Sequence, residues 1–247
     1  MLAREIFEHL PETCELIFDG TFGHGGHMEY FLSRMSSTPR VLACDVDKKI
    51  MDKGLHFTAP WKDFITPILD SYANIDLRAE KYGLFDFVLL DLGVNLEHFK
   101  DGERGFSIKV DAPLDMRFRN DGSVSAKDII ATYPKEKLEK ILTIYGDFSP
   151  KTAEYITKAL IETRKKQPIE TTFQLFDLLS RLHFNQKKIA VVFQVLRIET
   201  NQELLQLEIF LKKLGKVVSC GGRCSIITYH SIEDRMVKTA FKSLADD

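Results

Sequence analysis

The sequence predicts an α/β protein: a mostly parallel, doubly wound sheet with an all-helical domain inserted into it. Three observations carry this. Five short apolar runs do not alternate polar with apolar residues, as suits strands buried on both faces of a parallel sheet. Helix-forming stretches follow the first two runs, giving a β-α-β-α order. A long segment with helical periodicity and no convincing strand precedes the last run.

The elements follow in order. Residues 16–18 (LIF) form the first apolar run, and the glycine-rich DGTFGHGGH comes next at 19–27. A helix is expected over 28–34. Residues 41–44 read as the second strand and 48–54 as its helix. The third and fourth strands are 65–69 and 85–90, and the last is 224–228. In the long segment, 150–167 places Tyr155, Ile156, Ala159 and Leu160 on one helical face and stops at Pro168. Residues 172–183 repeat Leu175, Leu178, Leu179 and Leu182 at helical spacing. Thr200 and Glu203 read as a capping box opening a helix over about 200–214, closed by lysines and Gly215. The expected division is an α/β domain at 1–104 and 190–247, with a helical insertion at 105–189.

Composition narrows the function classes. The chain has 247 residues, 44% hydrophobic and 28% charged, with a formal net charge of -2. That gives no global pull toward nucleic acid or membrane, so any basic footprint is local. Arg164-Lys165-Lys166 and Lys187-Lys188 are such clusters. Cys14, Cys44, Cys220 and Cys224 contain no C-x-x-C and read as reduced, buried thiols. No run approaches the ~20 apolar residues of a membrane span. The opening MLAREIFEHLPE carries three acids and no signal-peptide core. A cytoplasmic protein is expected, or a mitochondrial one if a leader was removed.

DGTFGHGGH can be tested against known chemistries. A P-loop needs a Lys-Ser or Lys-Thr that does not follow. The dinucleotide fingerprint starts with Gly23 and Gly25, but its third glycine falls on Met28. His24 and His27 lack further ligands nearby, so no metal is expected. S-adenosylmethionine remains. It has no phosphate and needs a closely approaching backbone and a carboxylate for its ribose. Asp45 ends the second strand about 20 residues past the loop, where such an acid belongs. A tight strand–helix turn with an incidental aspartate would also account for the loop taken alone.

The fourth strand ends in DFVLLDLGV, with Asp91 at its carboxyl end, the side that faces ligands in open α/β sheets. GERGFS (102–107), APLDMRF (112–118), FQVLRIETNQEL (193–204) and TYHSIEDRMVK (228–238) follow. Together these motifs resemble the MraW/RsmH-type methyltransferases, which act on the N4 of a decoding-region cytosine in small-subunit (16S) ribosomal RNA. That family's pattern includes D-x-T-F-G-x-G-G-H, D-L-G-V-S-S, E-R-G-F-S, P-L-D-M-R, F-Q-A-x-R-I-x-x-N-x-E-L and H-S-L-E-D-R-x-V-K. All have counterparts here in the same order, over roughly residues 1 to 242.

The resemblance implies a class I (Rossmann-like) methyltransferase with an inserted helical domain that faces RNA. It implies S-adenosylmethionine as cofactor and the small ribosomal subunit as partner, with no membrane role; a homodimer stays open. Carried over by position, Gly23, Gly25, Gly26 and His27 sit against the cofactor and Asp45 takes the ribose. Tyr72 stands near the adenine, Asp91 at the methionine end, and His98 where the family has another cofactor contact. Arg104, Arg117 and Arg197 are the expected RNA contacts. Cytosine's exocyclic amine is a poor nucleophile, because its lone pair is delocalised into the ring. Acceptors aimed at its protons localise that pair. Asp91 is the first candidate, with His230, Ser231 and Glu233 behind it.

The chain departs from the pattern in places. Asn95 and Leu96 replace two serines, and His98 replaces a glutamine. The family's closing N-P-R-x-R-S and final strand have no counterpart after SLADD, so an incomplete sheet and a divergent member are expected. A nicotinamide-dependent oxidoreductase would share the loop and the ribose acid, but Met28 and the later motifs stand against it. A non-catalytic RNA- or ribosome-binding relative and a methyltransferase with a shifted substrate both stay open, because of the changes at 95–98.

Overall fold

The computed structural model describes residues 2–100, 102–119 and 122–246. The chain divides into two compact units, Met1–Gly93 with Leu204–Asp247 and Val94–Glu203.

The first unit carries helix α1 (Ala3–Phe7), strand β1 (Leu16–Asp19), α2 (Gly26–Leu32), β2 (Arg40–Asp45), α3 (Lys48–Phe57), β3 (Ile65–Leu69), α4 (Ile75–Tyr82) and β4 (Phe85–Asp91). The second carries α5 (Leu96–Lys100), α6 (Ala126–Thr132), α7 (Lys135–Gly146), α8 (Pro150–Arg164), α9 (Thr172–Arg181) and α10 (Gln186–Asn201). The first then resumes with α11 (Glu203–Val217), β5 (Val218–Ile227) and α12 (Ser231–Asp246).

The five strands pair in the order β3-β2-β1-β4-β5, all parallel. Non-alternating apolar residues account for β1, β2 and β4, which are covered on both faces. The two edge strands differ from that expectation: β3 buries only Ile65, and β5 has no fully buried residue. Ile17, Val41, Phe87 and Leu89 point to one face and pack with Met28, Phe31 and Met51. Phe18, Leu42, Val88 and Leu90 point to the other and pack with Leu207, Phe210 and Val237. The period of two along each strand separates the two cores. Pro67 sits on β3, an edge strand, where a missing N–H costs no ladder bond.

The chain order reverses between β1 and β4, which makes their carboxyl ends the ligand-facing switch point of such a sheet. Register brings Asp19 level with Leu89 of β4, and Asp91 level with Ile227 of β5. The acids that end β1, β2 and β4 therefore lie along one rim of the sheet.

The second unit has its own core, in which Ile129, Leu138, Ile156, Leu160, Leu175, Val192 and Leu196 meet. Its helices start on matched caps: Ser125 with Asp128, Ser149 before Pro150, and Thr171 with Gln174.

Several expectations differ from what forms. The helical unit runs 94–203 rather than 105–189, because Ile189, Val192, Phe193, Val195 and Leu196 of α10 pack into its core. The Thr200–Glu203 capping box does not form. Thr200 lies inside α10, buried, and its hydroxyl has no hydrogen-bond partner among the described residues. The break comes at Gln202, in the left-handed region at φ 51°, and Glu203 pairs with Arg197 instead. The last strand begins at Val218, earlier than expected. It bulges where Phe85 pairs Val218 but Phe87 pairs Arg223. That bulge leaves Cys220 exposed, against the expectation of four buried thiols; Cys14 and Cys44 are buried. Among the described residues no helix is long and apolar enough to cross a membrane.

Candidate active site

The glycine loop is tied to the sheet by its backbone. Gly20 N–H donates to the Leu89 carbonyl and Phe22 N–H to the Cys44 carbonyl, both at 2.9 Å. Asp45 completes the tie. One of its oxygens accepts Gly23 N–H and the other accepts Asp47 N–H, each at 2.8 Å. Gly25 caps α2 at φ 73°, and a β-carbon there would stand 2.7 Å from Thr58 Cγ2 and 3.0 Å from Phe22 Cζ. Glycine at this position is therefore required by packing as well as by conformation. Gly26 opens the helix, partly exposed.

Three carboxyls end three adjacent strands, and each is held differently. Asp19 is 2% exposed, with its Oδ1 accepting Thr21 N–H at 3.2 Å. Burial, outweighing that hydrogen bond and joined by the charges of Asp45 and Asp91, pushes its pKa up to about 8. Asp91 is half-buried. Its N–H donates to the Thr21 hydroxyl at 2.6 Å, and its Oδ1 accepts the Tyr229 hydroxyl at 2.8 Å. Its Oδ2 lies 3.9 Å from His27 Nδ1 and accepts no hydrogen bond among the described residues.

His27 is 6% exposed, and its Nε2 has no hydrogen-bond partner among the described residues. Burial lowers its pKa, although the Asp91 charge opposes this. Burial thus favours the uncharged ring, and its 3.9 Å approach to Asp91 is too long for a hydrogen bond. An unpartnered buried ring nitrogen beside an acid with an open oxygen is a built-in invitation to a polar ligand.

Tyr72 stands on the turn after β3, half-buried, its ring edge-on to Phe210 at 5.7 Å. Beside it, Asp70 accepts from Ser71 N–H at 2.7 Å, from Asn74 at 3.0 Å and from the Arg78 guanidinium. Burial would raise the Asp70 pKa, but these donors together hold it below the usual carboxylate range.

The TYHSIEDR segment folds onto itself. Glu233 is 2% exposed, and its Oε2 accepts Tyr229 N–H at 3.0 Å. His230 Nε2 stands 3.0 Å from Glu233 Oε1, while Glu233 N–H donates to His230 Nδ1 at 3.4 Å. These two residues fix the turn that carries Tyr229. Ser231 is exposed at the start of α12. Tyr229 is 67% exposed, and its ring lies against Gly93, where a β-carbon would stand 3.3 Å from the ring. Desolvation of the phenol, then the hydrogen bond to Asp91 and the charges of Asp91 and Glu233, raise its pKa to about 12.

Four of the expected site residues lie in the second unit. His98 is 5% exposed. Its Nδ1 accepts Asn95 N–H at 3.1 Å, and its ring lies 4.9 Å from Phe106 and 5.1 Å from Phe118. Arg104 lies 5.7 Å from the Phe106 ring centre. Arg117 grips Asp115 through Nε at 2.9 Å and Nη2 at 2.6 Å, and donates to the Ser123 carbonyl at 3.0 Å. Arg197 grips Glu203 at 2.8 and 3.0 Å. Asn201 joins this framework, donating to the Met116 carbonyl and accepting Phe118 N–H. Arg117 and Arg197 thus hold their own unit together.

Asp19, Thr21 and Tyr229 were not singled out from sequence. Asp19 opens the quoted loop, and its position at a strand end was the available signal. For Tyr229 no local signal exists, since its partner lies 138 residues away.

A family model described as the MraW methylase family matches residues 1–247. A protein named ribosomal RNA small subunit methyltransferase H from Fusobacterium nucleatum is 38% identical over 239 residues, covering 92% of this chain and 73% of that one. The protein of that name from Bacteroides fragilis is 37% identical over 231 residues, with 91% and 73% covered. The one from Clostridioides difficile is 34% identical over 258 residues, with 100% and 82% covered.

Proposed function

Since the chain belongs to the MraW methylase family, we propose that it methylates the exocyclic N4 amine of a cytosine in small-subunit ribosomal RNA, using S-adenosylmethionine. The observation that carries this reading is the head of β4. There Asp91 is fixed through its N–H and Oδ1, while Oδ2 accepts no hydrogen bond among the described residues. A carboxylate oxygen left open at the switch point suits an N–H donor that has to be polarised.

The residues at the rim fit the cofactor. Asp45 offers fixed carboxylate acceptors to ribose hydroxyls, and Tyr72 offers an aromatic wall beside them. The buried, unpartnered His27 Nε2 offers a polar contact, and Gly26 an accessible backbone. Bound there, S-adenosylmethionine supplies a methyl group already activated by its sulfonium, so catalysis reduces to close, in-line placement. Asp91 Oδ2 accepts one N–H of the target amine, which localises the nitrogen lone pair. Burial disfavours a charge on His27, which leaves the negative charge of Asp91 available to the amine. The target base is splayed from its stack to reach the strand end.

For RNA attraction, exposed Lys165, Lys166, Lys187 and Lys188 supply local positive charge on a chain of net charge -2. Arg104 adds a guanidinium beside an aromatic ring. Arg117 and Arg197 shape that unit rather than reach outward. His98 sits within an aromatic cluster and supports the 95–118 segment. With a small-subunit substrate, the protein is proposed to work alongside ribosomes.

Calorimetry with S-adenosylmethionine, followed by methyl transfer to small subunits lacking the modification, tests the reading. Micromolar binding and one methyl on a cytosine N4, seen by mass spectrometry of digested RNA, are expected. Absence of binding sinks the methyltransferase reading, and binding without transfer sinks the catalytic one.

A further inference from the structure

We infer that Tyr229 is a positioning and base-contacting residue. Its hydroxyl sets the orientation of the Asp91 carboxylate, and its exposed ring receives the face of the target base. The inference rests on the cytosine-methylating function proposed above.

Burial does not force the Tyr229–Asp91 contact. Tyr229 is 67% exposed, so water could satisfy its hydroxyl, yet that hydroxyl donates to Asp91 Oδ1 at 2.8 Å. The hydrogen bond is charge-assisted, the stronger kind. The surroundings are arranged to permit it. Gly93, at φ 97°, has no side chain to hold the ring away. Glu233, itself buried, accepts Tyr229 N–H at 3.0 Å and fixes the backbone from which the ring projects. A phenylalanine would pack identically here, so the hydroxyl adds only the bond to Asp91.

The consequence for Asp91 is geometric. With Oδ1 held by Tyr229 and the main chain held through Thr21, rotation of the carboxylate about its side-chain bonds is restricted. Oδ2 is then presented in one direction. An exposed aromatic face beside that acceptor matches what an unstacked base has lost, since stacking on aromatic side chains is how proteins replace base stacking.

The test compares Tyr229→Phe and Tyr229→Leu with the unaltered chain, measuring kcat and KM on small subunits, S-adenosylmethionine affinity and melting temperature. Tyr229→Phe is expected to lower kcat about tenfold, the worth of one hydrogen bond to a charged group, with KM for RNA, cofactor affinity and melting temperature unchanged. Tyr229→Leu is expected to lose the same kcat and also to raise KM for RNA about tenfold, in line with a lost base–aromatic contact. In an Asp91→Asn background, Tyr229→Phe is expected to add less than about twofold. Full kcat in Tyr229→Phe overturns the positioning role. Equal KM in Phe and Leu variants overturns the ring's role. Independent penalties in the Asp91→Asn background, or a fall in cofactor affinity and melting temperature that accounts for the loss, also overturn the inference. If the unaltered chain transfers no methyl group, the proposed function fails and this inference with it; a working parent with an equally active Phe variant sinks the inference alone.

Discussion

Asp19→Asn isolates what a buried carboxyl does at the head of β1. The side chain is 2% exposed, and its pKa is raised from 3.8 to about 8. Below about pH 4 the carboxyl is protonated in folded and unfolded chains alike. Between there and pH 8 only the folded chain keeps the proton. The unfolded chain then binds fewer protons, so stability is greatest at the low end and falls as pH rises through the folded value. From pH 5 to pH 8 the loss is about 4 kcal/mol, at about 1.4 kcal/mol per pH unit. That is large beside a typical net stability of about 5–15 kcal/mol. Asparagine keeps a carbonyl to accept Thr21 N–H and cannot ionise. The two chains should therefore match within about 1 kcal/mol below about pH 4, and between pH 5 and pH 8 the gap should widen by about 4 kcal/mol in favour of the Asn variant. Trp61 is the chain's single tryptophan and packs at the edge of the first unit's core, so its fluorescence in urea titrations follows this unit. If both chains lose stability equally between pH 5 and pH 8, Asp19 does not hold its proton and the reasoning fails.

Asp91→Asn should cut methyl transfer at least about 100-fold, in the range of a lost polarising group, with calorimetric cofactor affinity within about threefold; full turnover would remove Asp91 from the chemistry. Arg197→Ala leaves the Glu203 carboxylate, whose side chain is 11% exposed, without its guanidinium. Loss of about 3–5 kcal/mol is expected, read by circular dichroism melting, and Arg197→Met with Glu203→Leu should recover most of it. An unchanged melt in the single variant would show that the pair contributes nothing. Gly25→Ala should destabilise the first unit by at least about 1–2 kcal/mol from its left-handed backbone alone, plus the clash with Thr58. Adding Thr58→Ser should relieve the clash and leave the backbone cost, as read by Trp61 fluorescence.

The sheet was legible in the sequence because burial on both faces leaves an unbroken apolar signature, seen in 16–18, 41–44 and 87–90. The start of β5 was not, since Ser219, Cys220, Gly221 and Gly222 pair only around a bulge and carry no such signature. Thr200 and Glu203 satisfied a local capping pattern. The pattern lost to two interactions a window of four residues does not contain: the apolar stripe of α10 and the Arg197 guanidinium. The places of Asp45 and Asp91 at the ends of β2 and β4 were readable, because each closes an apolar run. Arg117 and Arg197 stand in dense polar motifs, and nothing local told that their partners are Asp115 and Glu203 of the same unit. Tyr229 shows the general limit, because its meaning comes from Asp91, which only the parallel pairing of β4 and β5 brings alongside.

Asp45 has a consequence beyond holding the glycine loop. Both of its oxygens are occupied by backbone amides before any ligand arrives, and those amides belong to the rim itself. The rotamer freedom of this side chain is thus already lost on folding. On the function proposed above, a sugar hydroxyl would meet an immobilised acceptor and be spared the roughly 0.5–1.5 kcal/mol that freezing a mobile side chain takes from affinity. On that proposed function, folding rather than binding bears the ordering entropy of the ribose acceptor.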